Sequence, residues 1–295
     1  MKFIKRLLVS VVLLAVALYC GYQYVLSTYG VDLLRTAKEL KVLIEPVDES
    51  KLCQNAFGEE DKVDVQVLVN EAVEDFITYT EQNGYVVNFD NLPEEMKHII
   101  KLTDKQVGSL ASIVIEQEVD GKIIVNNKPI GIDLKQVDYS EVETGALFNS
   151  IFALNISELT KDIPSGFPFD YVKPYIPEVF YISSTVNVNK GSEAFSYEVT
   201  HSSLTINNLN KDDTLDLYNT LNKLLNIGSL EDLNTKIGNV LMNALIGDEE
   251  NNGIAYSLKE IGAKDYDFIT EDNKDYFVVD RYEVIYVTSF SFCMV

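Results

Sequence analysis

Residues 178–208, EVFYISSTVNVNKGSEAFSYEVTHSSLTINN, decide the fold. Phe180, Ile182, Val186 and Val188 recur at even spacing, the signature of a strand with one buried face. A turn at Lys190-Gly191 follows, and Phe195, Tyr197 and Val199 share one face of a return strand. Leu204 and Ile206 then fall out of phase, which predicts a bulge near His201-Ser202-Ser203. Two long antiparallel strands joined this way set the frame for the rest of the chain.

Working outward, KIIVNNKPIGIDLKQVDY (122–139) reads as a second strand pair, and YEVIYVTSFSFCMV (282–295) as a terminal strand apolar on both faces. KVDVQVLVNEAVEDFITYTEQNG (62–84) alternates Val63, Val65, Val67 and Val69, which predicts a strand. A helix capped by Asn70 and ended by Gly84 is expected after it, burying Val73, Phe76 and Ile77. In KLTDKQVGSLASIVIEQ (101–117), Thr103 and Gln106 form a capping box and Leu102 and Val107 a staple, so a helix starts there with Val107, Leu110, Ala111 and Val114 on one face. Residues 209–253 read as two consecutive helices. Ser229 caps the second, a stripe from Leu230 through Leu233, Ile237 and Leu241 to Leu245 follows, and Gly247 ends it. The expected fold class is α+β: an antiparallel sheet of long strands with amphipathic helices packed on one side, preceded by a transmembrane helix.

That last element comes from MKFIKRLLVSVVLLAVALYCGYQ. Lys2, Lys5 and Arg6 precede an apolar run from Leu7 to Val25, long enough to meet the ~17–20 residues that span a bilayer. Tyr19 before Cys20 spoils a lipoprotein site, and Ala15-Val16-Ala17 lies inside the run, where a processing enzyme would not reach it. Tyr19, Tyr22 and Tyr24 suit an interfacial belt. The reading is an uncleaved signal-anchor, with a cleaved signal peptide as the alternative, that contacts the bilayer through residues 7–26, with the N-terminus cytoplasmic and the body outside the cell membrane. The organisation is then a signal-anchor over 1–28, a juxtamembrane helix and linker over 29–62, and an extracytoplasmic α+β domain over 63–295.

The chain holds 24 basic and 46 acidic residues. Residues 1–26 contain three of the basic and none of the acidic ones, so the remainder carries 21 against 46, a formal −25. Such a charge repels nucleic acid and anionic lipid headgroups alike, so neither is expected as a partner of the body's broad face, and nucleic acid is excluded. Three basic residues are arginine (Arg6, Arg35 and Arg281), which leaves few planar forks for phosphate and reads as the codon bias of an AT-rich bacterial genome. Cys53 and Cys293 either pair in an oxidising exterior or stay as buried thiols; both readings are open.

No catalytic motif, cofactor fingerprint or metal-type spacing stands in the sequence, so no catalytic, cofactor-binding or metal-binding residue is assigned and a non-enzymatic protein is expected. His98, in EEMKHII, reads as a helix-surface residue and His201 as a half-buried structural one. Asp248, Glu250, Asn252 and Gly253 match the opening of a calcium loop, but position 12 is Lys259 with Glu260 one residue late. An acidic connection between helices is the preferred reading. In IPSGFPFDYVKPYIPEVFY (163–181) four of the seven prolines interleave with aromatics in a stiff crossover. Phe167, Phe169, Phe180 and Ile182 are its candidates for lining an apolar groove.

The anchor, KLTDKQVGSL and the proline-led IPEVFYISSTVNV together resemble the single-span, membrane-anchored extracytoplasmic proteins of low-GC Gram-positive bacteria of the YpmS type. The resemblance brings no catalytic residues with it. Two functions follow as expectations: a tethered binding or scaffold module of the cell envelope with an envelope-protein partner, or a carrier or sensor of an amphiphile such as a lipid.

Overall fold

In a computed structural model the described residues are 19–20, 22–24, 26–28, 30, 32–74, 77–80, 84–87, 98–119, 122–125, 128–155, 157–161, 177–225, 228–250 and 253–281. Helices of three turns or more that lie wholly within the described residues include α1 (Leu33–Ile44), α2 (Glu59–Glu74), α3 (Asp104–Val119), α4 (Lys211–Leu225) and α5 (Leu230–Leu245). The strands are β1 (Ile77–Thr80), β2 (Gly84–Val87), β3 (His98–Thr103), β4 (Lys122–Val125), β5 (Lys128–Val142), β6 (Gly145–Asn155), β7 (Val179–Lys190), β8 (Tyr197–Ile206), β9 (Ala263–Glu271) and β10 (Lys274–Arg281).

The α+β reading is confirmed. Strands β4 to β8 form one antiparallel sheet in sequence order, β3, β10 and β9 form a second, and β1 and β2 pair alone. Neighbouring strands in the large sheet are consecutive in the chain, so short connections join each pair except β6 and β7. The predicted bulge is present: Thr185 pairs with Ser203 but Val186 pairs with His201, leaving Ser202 as the extra residue. A second register shift, at Lys135, interrupts the β5–β6 ladder.

One face of the large sheet carries Leu134, Val137 and Tyr139, then Phe148 and Phe152, then Ile182, Val186 and Val188, all buried. Helices α3 and α5 cover it because their stripes match. Val107, Leu110, Ala111 and Ile115 of α3 are buried, as are Leu230, Leu241, Ala244 and Leu245 of α5. Gly238 lets α5 approach closely, since a Cβ there would stand 2.7 Å from Val199 Cγ1 and 3.1 Å from both Val186 methyls. The three-stranded sheet closes the end beyond Tyr139. Phe268 contacts Tyr139, Phe148, Tyr266 and Phe277 at centroid distances of 5.4–5.7 Å, joining the two sheets through one aromatic cluster. The Tyr139 hydroxyl adds a bond to the Leu102 carbonyl at 3.2 Å.

Helix starts follow their sequence signals. Gln106 Oε1 accepts from Thr103 N at 2.9 Å, and Ser229 Oγ accepts from Asp232 N at 3.0 Å. Three expectations are corrected. The 63–69 stretch is helix α2, not strand: Val65, Leu68, Val69 and Ala72 fall on one helical face against the core, while Val63 and Val67 are 57% and 48% exposed. Strands β1 and β2 stand where the helix capped by Asn70 was expected, with Ile77 opposite Val87. His98 opens strand β3 and pairs its Nδ1 with Asp280 Oδ1 at 2.7 Å.

The boundary drawn between 62 and 63 falls inside α2, and Leu43 and Cys53 ahead of it are buried. Cys53 is a free thiol whose pKa is raised by burial, with Glu49 nearby acting in the same sense. Among the described residues no helix is long and apolar enough to cross a membrane. Residues 1–18, residues 162–176 with Phe167 and Phe169, and residues 282–295 with Cys293 lie outside those described.

Candidate functional site

The site begins with a pair of helix caps. Asp32 caps α1 by accepting from Leu34 N and Arg35 N, each at 3.1 Å. Asn210 caps α4 by accepting from Asp213 N at 2.9 Å while donating from Nδ2 to Asp213 Oδ2 at 2.7 Å. These caps turn Arg35 on one helix toward Asp213 and Asp216 on the other. Arg35 Nε donates to Glu39 Oε1 at 2.8 Å, and Nη2 contacts Asp216, with Asp213 Oδ1 at 3.8 Å. Glu39 is 3% exposed, so this guanidinium is what makes a buried carboxylate tolerable.

The other end of α1 is held by side-chain amides. Asn207 Nδ2 donates to the Leu43 carbonyl at 2.8 Å and Asn208 Nδ2 to the Glu45 carbonyl at 3.1 Å, satisfying helix-terminal acceptors. Between these polar fastenings, Leu43 packs with Leu209 and Leu217 in a small core that also takes Phe180 and Ile206.

Two clefts open beside Arg35. The larger, about 420 Å3, is lined by Asp32, Thr36 and Glu39 from α1 and its cap, and by Asp216, Asn219 and Thr220 from α4. The other, about 380 Å3, runs past Leu34, Lys38 and Val42 toward Asp213. The wall of the larger cleft carries carboxylates, hydroxyls, amides and one guanidinium, a set suited to a polar or charged ligand rather than a hydrocarbon chain, whereas Leu34 and Val42 make the smaller one more apolar.

Of the groove residues read from the sequence, Phe167 and Phe169 lie outside the described residues, and Phe180 and Ile182 lie between the sheet and helices. Phe180 sits against Leu43, Leu209 and Leu217, and Ile182 in a cluster with Leu204, Tyr218 and Leu230. Both lie on the same face of β7 and both are covered by helices. His201 is half-buried, facing Asn234 of α5. Of the calcium-loop match, Asn252 lies outside the described residues, and Gly253 packs against the end of α5, where a Cβ would come within 2.4 Å of the Asn243 carbonyl oxygen. Among the described residues no three His, Cys, Asp or Glu side chains converge as a metal site.

A second polar cluster went unread in the sequence. Asn55 N donates to Gln136 Oε1 at 3.0 Å, and Asn55 Nδ2 bridges Asp138 Oδ1 at 2.7 Å and Asp104 Oδ2 at 3.2 Å. Burial, with Asp138 close by, raises the Asp104 carboxyl above its ordinary pKa. Both Asp138 oxygens are engaged, since Gln136 Nε2 donates to the second, so the cluster pins the 53–58 segment to β5. The one signal for these contacts in the sequence, a cap residue at 103–104, points only to the helix.

Compared with known proteins, the chain matches no family model, no curated protein and no solved structure.

Proposed function

We propose that the protein is a non-enzymatic, membrane-tethered extracytoplasmic binding module of the bacterial cell envelope, and that the larger cleft beside Arg35 is its binding site. The observation that carries the reading is the fastening of α1 to α4. The first body helix after the apolar run is held to the body at both ends, by Arg35 on Asp216 and by Asn207 on the Leu43 carbonyl, and it walls a polar cleft of about 420 Å3. A chain tethered by residues 7–26 would therefore present that cleft at a fixed place near the bilayer.

The amphiphile-carrier reading has less support, because Phe180 and Ile182 pack into clusters with helix residues and the larger cleft at Arg35 is polar. Two arms of one experiment on bacterial cells expressing the full chain test the proposal. Protease added to intact cells should digest the body; a fully protected body refutes the tethered, outward orientation. A photo-crosslinking residue in place of Asn219, which lines the cleft, should give specific adducts absent with the same residue in place of Val142. Equal labelling at both positions refutes the cleft as the binding site.

A further inference from the structure

Helix α1 also presents an outward face, whose Leu34 and Lys38 edge the smaller cleft and stay outside the larger one. Leu34, Ala37, Lys38 and Lys41 are spaced i, i+3, i+4 and i+7 and are all exposed, Leu34 at 73%. Arg35, one turn away, is drawn inward by Glu39 and Asp216. Lys38 and Lys41 have no ion-pair partner among the described residues, although the chain holds 46 acidic residues. The helix thus sorts its basic residues: the one planar fork faces the body, and the two ammonium groups flank an exposed leucine on the outside.

Chain direction places this face. The described residues between 19 and 28 are helical, and that helix ends where Gly30 N donates to the Leu26 carbonyl at 2.9 Å with Gly30 at φ 63°. The Tyr22 hydroxyl then reaches Asp32 Oδ1 at 3.0 Å. The left-handed residue at Gly30 thus turns the chain between this helix and α1, and the Tyr22 hydroxyl ties the Asp32 cap to the helix that precedes it. Tyr22 stands near the end of the apolar run, where tyrosines sit at the level of lipid headgroups.

We infer that the outward face of α1 lies on an anionic lipid surface, with Lys38 and Lys41 at the headgroup phosphates and Leu34 entering the acyl boundary. Two cations around an apolar residue match that interface, whereas the remaining acidic body is repelled by it. The inference rests on the tethered reading and adds to it an orientation: α1 flat on the bilayer, the clefts beside it, and the Val142 end of the sheet farthest away. Val142 belongs to the sheet end formed with Gly145 and Asn189, opposite the Phe180 end on which α1 docks.

The absence of tryptophan makes the test direct. Full-length Leu34→Trp and, as reference, Val142→Trp are reconstituted into vesicles of phosphatidylcholine with or without phosphatidylglycerol, with brominated or plain acyl chains. The expected result is a blue-shifted emission for Leu34→Trp, quenched by brominated lipid and more strongly so in the anionic vesicles. Val142→Trp should stay unquenched, and Lys38→Glu with Lys41→Glu should abolish the anionic enhancement. Protein that floats with the vesicles but emits alike at both positions overturns the inference and leaves the tether standing. Quenching indifferent to lipid charge and to the lysine changes overturns the anionic surface. Protein that fails to float overturns the tether and the inference with it.

Discussion

The side-chain amide nitrogen of Asn234 lies 2.8 Å from Nδ1 of His201, linking α5 to the bulged edge strand β8. The same nitrogen reaches the carbonyls of Thr185 at 2.9 Å and Ser203 at 3.1 Å, while Asn234 Oδ1 accepts from the Ser184 hydroxyl at 2.6 Å. An amide N–H can only donate, so Nδ1 acts as the acceptor and the imidazole proton belongs on Nε2. These contacts surround the register shift at Ser202. A bulge leaves backbone acceptors outside the ladder, and one fully buried asparagine supplies their donors.

Asn234→Ala should therefore destabilise the fold by about 2–3 kcal/mol, because it strands buried polar groups rather than deleting one net hydrogen bond. Asn234→Leu should fare no better despite its greater apolar volume. Urea denaturation measures both; a leucine variant as stable as the parent would show that the bulge does not need the amide.

Arg35 and Glu39 give an asymmetric pair of variants. Arg35→Met leaves Glu39 buried without its cation and should cost on the order of 2 kcal/mol, below the value for a fully buried pair because Arg35 is 48% exposed. Adding Glu39→Gln to that variant should recover much of the loss. Arg35→Lys should recover little, since one ammonium cannot serve Glu39 and Asp216 as the fork does. Thermal unfolding of the three variants checks the order.

At Gly238 the sheet leaves no room for a methyl group. Gly238→Ala gains helix propensity but drives a Cβ toward Val199 and Val186, and the net should be a loss of about 1–3 kcal/mol. Combining it with Val199→Ala should return part of that loss, a coupling that a double-mutant cycle in denaturant reads directly.

Asp104 provides the pH dependence. Its carboxyl is raised in the folded state from an ordinary value of 3.8, so the native protein holds this proton more tightly than the unfolded chain does. The favourable contribution is complete below 3.8 and fades as pH climbs through the raised value. Relative to Asp104→Asn, which does not titrate, the parent should lose ground between acid and neutral pH. Unfolding free energies measured across that range should diverge in favour of Asn; parallel curves would contradict the shift.

What the sequence disclosed and what it hid divide by distance along the chain. Phase is local, so the slip between Val199 and Leu204 was enough to find the Ser202 bulge, and Thr103 with Gln106 was enough to start α3. Val63, Val65, Val67 and Val69 satisfied a period of two by coincidence, while Leu68 and Ala72 completed the helical face that packing selected. His98 was placed by its charged neighbours, yet its strand is set by Asp280, 182 positions away. The fastening of α1 likewise depends on Asn207, 164 positions from Leu43, and no local periodicity encodes such a pair. Asn234 was hidden for another reason: a polar residue inside an apolar stripe reads as an interruption until the bulge it serves is known.

The docking of α1 also has an order in time. This helix is made early, whereas the surface that receives it, from Asn207 through Leu217, comes 164 or more residues later. At synthesis rates of about 5–20 residues per second, α1 waits roughly ten to thirty seconds for its partner. During that interval Glu39 is solvated, Leu43 has no core, and the helix has only what lies beside the ribosome or translocon to shelter its apolar side. The Arg35 fastening is thus a closing step of biogenesis. Variants that weaken it should be cleared by quality control in the cell well before they fail as purified proteins.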